Sequence, residues 1–444
     1  MKELTGDQPE AFESIKTWLI MSGGGMHLLT GVAGTGKSFL LIYITDYIKG
    51  KVIITSPTHK SLKVLKQFIG ADKNYATIHS ALGMKEVINS DGTVSFQRDP
   101  MLGCPADNYT HIIVDEASML DDTIFYELVN FADQGKKILF VGDPLQIPPV
   151  NHENSLPFDK SVRLQYNIKV SKLQTIIRQA QDNPLIQFAW DIRTNIHERV
   201  QILKRQEVKV PSGSISFIKR TNEDTFFHDT ILPLYKSSDY EKDIDHVKTI
   251  AWRNKIVDRY NKIIREYLFG PNLPKIIVGD KLIMDAPVIN EEKRILIGTN
   301  EEAEVLGVEI DEDKLSDEYI LKYYKTTVRV YNGGIFNQYL LRILHEDSEP
   351  IFKRLCELQI ALAKSYSRGS FQARSAWIDY YAFVQSWHQI KYSYCITAHR
   401  SQGSTYQTAV VLEYDIKINP NVYERNRIFY TACTRPSKDL FIVS

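Results

Sequence analysis

The segment Gly31-Val32-Ala33-Gly34-Thr35-Gly36-Lys37-Ser38 has the residue types and spacing needed to hold a triphosphate. Its glycines allow backbone N–H groups to close round phosphate oxygens, Lys37 can reach the β- and γ-phosphates, and Ser38 can ligate Mg²⁺. Apolar stretches precede and follow the segment, as expected for a strand and then a helix whose N-terminus favours an anion. We therefore expect a nucleoside triphosphate and Mg²⁺ to bind here, through the residues Gly31, Ala33, Gly34, Thr35, Gly36, Lys37 and Ser38.

Three polar residues after later apolar runs could complete a hydrolytic site. Asp115 and Glu116 follow the run 112–114, which would place one carboxylate on Mg²⁺ and a second near the attacking water. An acidic pair at a strand end can also be a helix cap, but the phosphate loop favours the catalytic interpretation. Gln146 follows the next run, where its amide could sense the γ-phosphate.

Phosphoryl transfer also needs positive charge at the transition state. An arginine supplied for this purpose typically accelerates hydrolysis by about 10³–10⁵. Arg178 and Arg435 are the candidates, although an isolated arginine is more often a surface side chain.

The elements that must position these residues alternate between strand and helix. Strands are predicted at 26–30, 52–56, 112–114 and 138–141, which is the pattern of a parallel sheet covered by helices. Because ligands of such sheets bind outside the carboxyl ends of the strands, the polar clusters should line one crevice. A second α/β pattern starts near His246, with a strand through 250–252 and a helix over 254–268. It resumes with a strand at 408–412, a helix at 424–434 and a strand at 440–443.

Length and composition set outer limits. A chain of 444 residues is expected to form two to four domains. Lysine plus arginine equals aspartate plus glutamate at 54 each, so any nucleic-acid site must be a local groove. The absence of a signal-peptide pattern and of a long apolar run predicts a bacterial or phage cytosolic protein without a membrane partner. The four cysteines form no Cys-x-x-Cys pair, so neither a zinc site nor a disulfide framework is indicated.

The ordered motifs resemble superfamily 1 helicases, and most closely the 1B branch of Dda and RecD-like enzymes. The resemblance runs from Leu4 to Arg435. It implies that ATP is the nucleotide and that Gln8 reads the adenine. The resemblance assigns Gly403, in the motif coupling nucleotide state to strand contacts, to the ATP-binding site. It also implies that Arg178 and Arg435 are arginine fingers. The implied single-strand contacts are Pro57, Thr58, His59, His79 and His399.

This resemblance implies an α/β fold with two RecA-like P-loop NTPase domains, each built on a parallel sheet. The first domain would comprise 1–82 and 108–180, with a small β-hairpin insertion at 83–107. The second would comprise 181–273 and 388–444, with a β-rich, SH3-like insertion at 274–387. ATP would bind between the two domains, whose opening and closing would move the enzyme 5′ to 3′ along one strand.

An Asp91-Gly92 turn between β-branched residues predicts a hairpin within the first insertion. The family places its strand-separating pin here, so Phe96 could stack on a base, a contact typically worth about 1–3 kcal/mol. Phe96 could instead fill a small local core. Trp377 is the best candidate for a strand contact in an aromatic-rich stretch at 377–388, although such spacing is more often found in a core. The acidic stretch 309–318 is predicted to be a solvated turn.

Three functions remain open on these grounds. The first is an ATP-dependent DNA helicase acting on single-stranded DNA and forked duplex as a monomer, in contact with a single-strand-binding protein or replication machinery. The second is a single-strand translocase that displaces bound proteins. The third is an ATP-gated DNA-binding subunit of a recombination complex, although Glu116 and the two candidate fingers argue against pure binding. RNA as the track is not excluded by the residues alone.

Overall fold

The computed structural model describes residues 3–98, 103–149, 152–175, 183–199, 205–290, 295–332 and 335–444. The strands are β1 Gly25–Gly31, β2 Val52–Ser56, β3 Asn74–Thr77, β4 Met84–Ile88, β5 Val94–Arg98, β6 His111–Val114, β7 Lys137–Gly142, β8 Lys169–Leu173, β9 Val208–Val210, β10 Gly213–Ile218, β11 Val247–Ala251, β12 Lys281–Met284, β13 Val288–Ile289, β14 Ile295–Ile297, β15 Glu302–Lys314, β16 Ile320–Asn332, β17 Ile335–Leu344, β18 Ile390–Tyr392, β19 Cys395–Thr397, β20 Tyr406–Leu412 and β21 Pro436–Val443.

The α-helices are α1 Gln8–Ile20, α2 Lys37–Tyr47, α3 His59–Ile69, α4 Ile78–Ala81, α5 Asp122–Asp133, α6 Lys160–Gln165, α7 Pro184–Thr194, α8 Glu223–Phe226, α9 Leu232–Tyr235, α10 Ser238–Lys242, α11 Asn254–Phe269, α12 Glu349–Ser365, α13 Phe371–Gln385, α14 Ala398–Ser401, α15 Glu413–Ile416 and α16 Val422–Cys433. In the part of the chain that the structure describes, no helix has the length and apolar character to span a membrane.

The first sheet has six parallel strands in the order β3-β2-β6-β7-β1-β8. Every residue of β2 and β7 is buried, as expected for parallel strands covered by helices on both faces. The core on one face joins α1, α2 and α3 to the sheet through Ile15, Leu40 and Leu65. The four strands predicted in this half correspond to β1, β2, β6 and β7, so the polar segments after them reach one edge of the sheet.

The second sheet has the order β19-β11-β20-β21-β10-β9, and its pairings are parallel except for that of β9 with β10. Its strands β11 and β20 are buried apart from Gln407. The helix predicted over 254–268 is α11, and that predicted over 424–434 is α16. Two parallel sheets with flanking helices are the expected pair of RecA-like folds.

The chain forms two compact units. The first contains both parallel sheets and comprises Met1–Leu82, Cys104–Leu268 and Tyr394–Ser444. The second comprises Gly83–Gly103 and Phe269–Ser393, so it combines the β4–β5 hairpin with the later insertion. The exact limits of the four domains predicted from the sequence stay a prediction.

The second unit is built on an antiparallel sheet in the order β17-β16-β15-β12-β18. Its core contains Leu282, Val328 and Leu341. The interpretation of 309–318 as a solvated turn was correct only for the exposed residues 315–318, because Glu309 to Lys314 belong to β15 and pair with β16. The outer half of β15 is exposed on both faces, so it lacks the alternation of apolar and polar residues that reveals a strand.

Two long helices of the second unit, α12 and α13, also lie within the insertion at 274–387 that was predicted to be β-rich. The predicted hairpin is present as β4 paired with β5, in a register that sets Glu86 opposite Phe96. Its turn is closed by hydrogen bonds from Asn89 N to Thr93 O (2.8 Å) and from Gly92 N to Asn89 O (3.0 Å).

Candidate nucleotide site and nucleic-acid contacts

The phosphate loop joins β1 to α2 in the conformation that its glycines allow. Gly34 and Gly36 have φ of 81° and 78°, in the left-handed region that favours glycine. A side-chain carbon on Gly31 would lie 2.7 Å from Thr35 Oγ1, so that position also requires glycine. Lys37 Nζ donates to Gly31 O (2.8 Å) and Val32 O (3.0 Å). The loop therefore holds its lysine over its own backbone, at the N-terminus of α2.

Gln8, the predicted adenine-reading residue, contacts the same loop. Its side chain is buried, accepts from Thr5 N (3.1 Å) and donates to Thr35 O (3.2 Å) and Gly36 O (3.4 Å). The structure thus places Gln8 beside the phosphate loop, while its contact with a base stays a prediction.

Asp115 and Glu116 stand at the carboxyl end of β6. Burial and the negative charge of Glu116 raise the pKa of Asp115 to about 7, against the opposing effect of Lys37. Glu116 has a φ of 53°, an uncommon backbone conformation for a residue with a side chain. The acidic pair and the loop lysine are therefore close enough to interact electrostatically, and a cation beside Asp115 would favour its charged form.

Gln146 lies in the loop 143–147 that follows β7, and it is 5 % exposed. This loop contacts side chains of the half of the unit that contains the second parallel sheet. Gln402 Nε2 lies 3.5 Å from Gln146 Oε1 and donates to Ile147 O (3.0 Å). Ile147 N donates to Thr431 Oγ1 (3.3 Å). The candidate γ-phosphate sensor is therefore held where the two RecA-like halves meet.

Two residues that fix the position of this loop were not predicted from the sequence: Asp143, within the loop, and Arg427, on α16. Asp143, fully buried, accepts from Tyr430 Oη (2.5 Å) and from Arg193 Nη1 (2.6 Å). Arg427, 2 % exposed, donates to carbonyl oxygens of the same loop. The sequence offered one signal for Arg427, which directly precedes the apolar run 428–430 of a predicted helix. Because arginine is rarely buried without a partner, that position predicts a polar partner for its side chain.

Arg435 follows α16 and is 6 % exposed. Its Nε donates to Thr431 O (3.0 Å) and its Nη1 to Ser404 O (3.2 Å). β21 begins at Pro436, so the arginine lies at the junction between helix and strand. The structure gives the guanidinium partners in its own half of the unit, and its role as a finger stays a prediction.

Gly403 packs on the first half of the unit. A side-chain carbon there would lie 2.0 Å from Ser61 Oγ, and its φ of 72° also favours glycine. Thr58 Oγ1 lies 2.7 Å from the same Ser61 hydroxyl. Gly403 therefore packs against the segment that is predicted to touch single strands. None of its nearest recorded neighbours belongs to the phosphate loop.

Arg178 lies outside the described residues. The chain just before it is tied to the loop ahead of α1, because Asp7 Oδ2 accepts from Gln174 N (2.6 Å) and Thr175 N (2.7 Å). A hydrogen bond from Thr175 Oγ1 to Asp7 Oδ1 (2.6 Å), together with these two backbone bonds, lowers the pKa of Asp7.

The predicted single-strand contacts are spread over both halves of the first unit. Pro57 and Thr58 lie between β2 and α3, which begins at His59, and Thr58 caps that helix. His79 lies in α4 and His399 in α14. Burial lowers the pKa of both His79 and His399, which favours neutral imidazoles that can stack or donate one hydrogen bond.

The two aromatic candidates belong to the second unit. Phe96 lies on β5 and is 42 % exposed. Trp377 on α13 is 6 % exposed and packs against the hairpin turn at Gly92, with Tyr380 as an edge-on neighbour. The Phe96 ring is partly exposed, whereas the buried Trp377 ring supports the hairpin. The contacts of both rings with DNA stay predictions.

This fold and site define a P-loop NTPase with two RecA-like domains. Two family models match the chain, an AAA domain over residues 3–209 and a UvrD-like helicase C-terminal domain over residues 392–443. The chain is 23% identical over 436 residues to the ATP-dependent DNA helicase Dda of Enterobacteria phage T4, covering 94% of this chain and 93% of that one. It is 31% identical over 172 residues to the ATP-dependent RecD2 DNA helicase of Deinococcus radiodurans, covering 38% and 22%.

Solved structures show the same fold. The Pif1 helicase from Candida albicans has a TM-score of 0.50 at 18% identity, covering 100% of this chain and 95% of that one. A structure of Pif1 helicases described as unwinding forked double-stranded DNA has a TM-score of 0.53 at 14% identity, covering 99% and 92%. These similarities support a superfamily 1B helicase of the Dda and RecD-like type.

Proposed function

We propose that this chain is an ATP-dependent DNA helicase that moves 5′ to 3′ along single-stranded DNA and separates duplex ahead of it. The observation that carries the proposal is the loop 143–147. It follows a strand of the first sheet, carries Gln146 and is held by side chains of the second half of the unit. A change at the nucleotide that moves this loop would therefore also move the second half of the unit, and a motor requires such coupling.

The residues of the site have distinct parts in hydrolysis. Lys37 and the backbone N–H groups of the phosphate loop would bind the phosphates, and Glu116 would orient or deprotonate the water. Ser38 and Asp115 would hold Mg²⁺, which supplies charge neutralisation at the β- and γ-phosphates when bound. The half-buried Asp115 carboxylate fits a cation, since partial loss of solvent and the nearby Glu116 raise its pKa when no cation is beside it. Arg178 and Arg435 would stabilise charge developing on the γ-phosphate.

The strand would lie across segments of both halves. Residues 57–59 and His79 belong to the first half, and His399 belongs to the second, so a change in their separation would move a bound strand. Gly403 touches Ser61 beside this track, which supports a coupling between the two halves at the DNA side. Polarity rests on the 1B assignment, because neither charge nor spacing encodes direction.

DNA is the proposed track because the T4 and Deinococcus relatives are named as DNA helicases and a Pif1 structure concerns forked duplex. The exposed Phe96 on the hairpin supports a role for this hairpin as the strand-separating pin. We also propose that the enzyme acts as a monomer, in contact with a single-strand-binding protein or replication machinery.

The test is ATP-dependent unwinding of forked duplexes that carry a DNA or an RNA loading tail of either polarity. The proposal predicts unwinding with a 5′ DNA tail. Unwinding only with a 3′ tail would contradict the polarity, and a preference for an RNA tail would contradict the track. Strand-stimulated hydrolysis without unwinding would favour a translocase that displaces bound proteins.

A further inference from the structure

Arg427 is the buried arginine of α16, and all its recorded hydrogen bonds go to the segment of the first half that follows β7. Its Nε and Nη2 both donate to Gln146 O, at 2.8 and 2.5 Å. Its Nη2 also donates to Pro144 O (3.0 Å), and its Nη1 to Glu153 O (2.6 Å). The planar guanidinium of Arg427 thus donates to three backbone carbonyl groups, which lie outside the strands and helices.

The geometry depends on arginine in particular. Two nitrogens converge on one carbonyl while the third reaches a different segment, which a fork of fixed angles can do and a single ammonium cannot. The guanidinium lies 5.2 Å from the centre of the Tyr423 ring, one helical turn earlier, so the fork is supported from within α16. A buried arginine held in this way costs desolvation that its contacts must offset.

The same helix carries Thr431 one turn later and ends at Cys433, two residues before Arg435. Because a helix moves as a rigid body, a displacement of α16 shifts Arg427 and Thr431 together. Arg427 fixes the backbone of Gln146, and Thr431 fixes the next residue, Ile147. The side chain of Gln146 therefore follows the helix of the other half.

We propose that Arg427 is a positioning residue for hydrolysis: it sets the place of the Gln146 amide relative to the γ-phosphate and ties that place to α16. The inference rests on the proposed function, since it assigns a cause to the coupling between ATP and the second half. Arg427 itself does not touch the nucleotide, and its effect passes through Gln146.

The experiment is a double-mutant cycle on DNA-stimulated ATP hydrolysis by the full chain. Arg427→Lys keeps the charge and loses the fork, so kcat should fall about tenfold while the KM for ATP changes less than about twofold. Gln146→Ala should lower kcat at least as much. The double variant should be no slower than Gln146→Ala alone, because Arg427 acts through that side chain.

Arg425→Lys is the matched control. Arg425 lies on the same helix, but its Nη2 donates to Arg199 O (2.7 Å) rather than to the loop. Its kcat should equal that of the wild type. Should Arg427→Lys melt at a clearly lower temperature than the wild type, Thr431→Val replaces it in the cycle. Removing the Thr431 hydroxyl from Ile147 N should give a smaller loss with the same lack of additivity.

The outcomes separate the two proposals. A wild-type chain without DNA-stimulated hydrolysis would overturn the proposed function. With an active wild type, the assignment of Arg427 fails in either of two cases: losses that multiply in the double variant, or a Gln146→Ala variant with unchanged kcat. Losses that do not multiply, with an unaffected Arg425→Lys, support it.

Discussion

The α-carbon of Gly92 lies so close to the indole of Trp377 that a side-chain carbon on Gly92 would fall 2.6 Å from Cζ2. Tyr381 Oη donates to Gly92 O (2.7 Å), and Arg368 Nη2 lies 3.2 Å from Asp91 Oδ2. The turn of the β4–β5 hairpin is thus seated on α13 and the loop before it, both in the second unit. A hairpin that separates two strands must keep its position when it meets the duplex, and these contacts fix the position of its turn.

Gly92→Ala should therefore lower unwinding without lowering DNA-stimulated ATP hydrolysis. The added carbon meets the indole, and the φ of 82° penalises any side chain, so we expect a local cost of about 1–3 kcal/mol. The rate of forked-duplex unwinding should fall about tenfold if that cost displaces the turn. Gel-based unwinding and a coupled ATPase assay on the same preparation measure the two activities.

Gly103→Ala is the control for backbone strain. Gly103 has a φ of 67° but nothing within 4 Å of the added carbon. It should unwind as the wild type does. Equal losses in the two variants would mean that strain alone, rather than contact with Trp377, explains the effect.

Phe96→Ala should lower strand separation and leave DNA-stimulated hydrolysis largely intact. The ring is 42 % exposed on β5, and its loss would remove a base stack worth about 1–3 kcal/mol. Phe336 offers a matched control, because it is 59 % exposed on β17 in the same unit. Phe336→Ala should change neither activity, whereas a parallel loss of unwinding and hydrolysis in Phe96→Ala would refute the pin role.

The sequence predicted those parts of the site that depend on local chemistry. The phosphate loop, Asp115 and Gln146 follow apolar strands, and parallel topology brings such ends to one edge. The partners of the loop 143–147 could not be predicted, because Arg427 and Tyr430 lie about 280 positions away and meet it only after both sheets have formed. In the second unit, α12 and the outer half of β15 were missed since they expose side chains on more than one face.

Lys37→Ala should abolish hydrolysis and unwinding while preserving the fold. The recorded hydrogen bonds of the ammonium go to Gly31 O and Val32 O, which are uncharged loop carbonyls, so the fold does not depend on a salt bridge made by this lysine. Steady-state ATPase, unwinding and the melting temperature test this expectation together. Lys16→Ala removes a lysine of α1 that pairs with Glu13 and lies 5.6 Å from the centre of the Tyr47 ring, and it should leave all three unchanged. Unwinding that persists without Lys37 would overturn the proposed mechanism.

Acid should destabilise the first sheet through His27. This residue on β1 is fully buried, its Nε2 lies 2.9 Å from Ser171 Oγ, and burial followed by the charge of Lys169 lowers its pKa to about 4. The unfolded chain takes up the proton near the usual value of 6.5, so stability is complete above that pH and falls as the pH drops towards 4. At pH 5 the loss should be about 2 kcal/mol. Urea unfolding at pH 7.5 and 5 should show a smaller acid loss for His27→Gln than for the wild type. His228→Gln, whose ring is exposed, should retain the full loss.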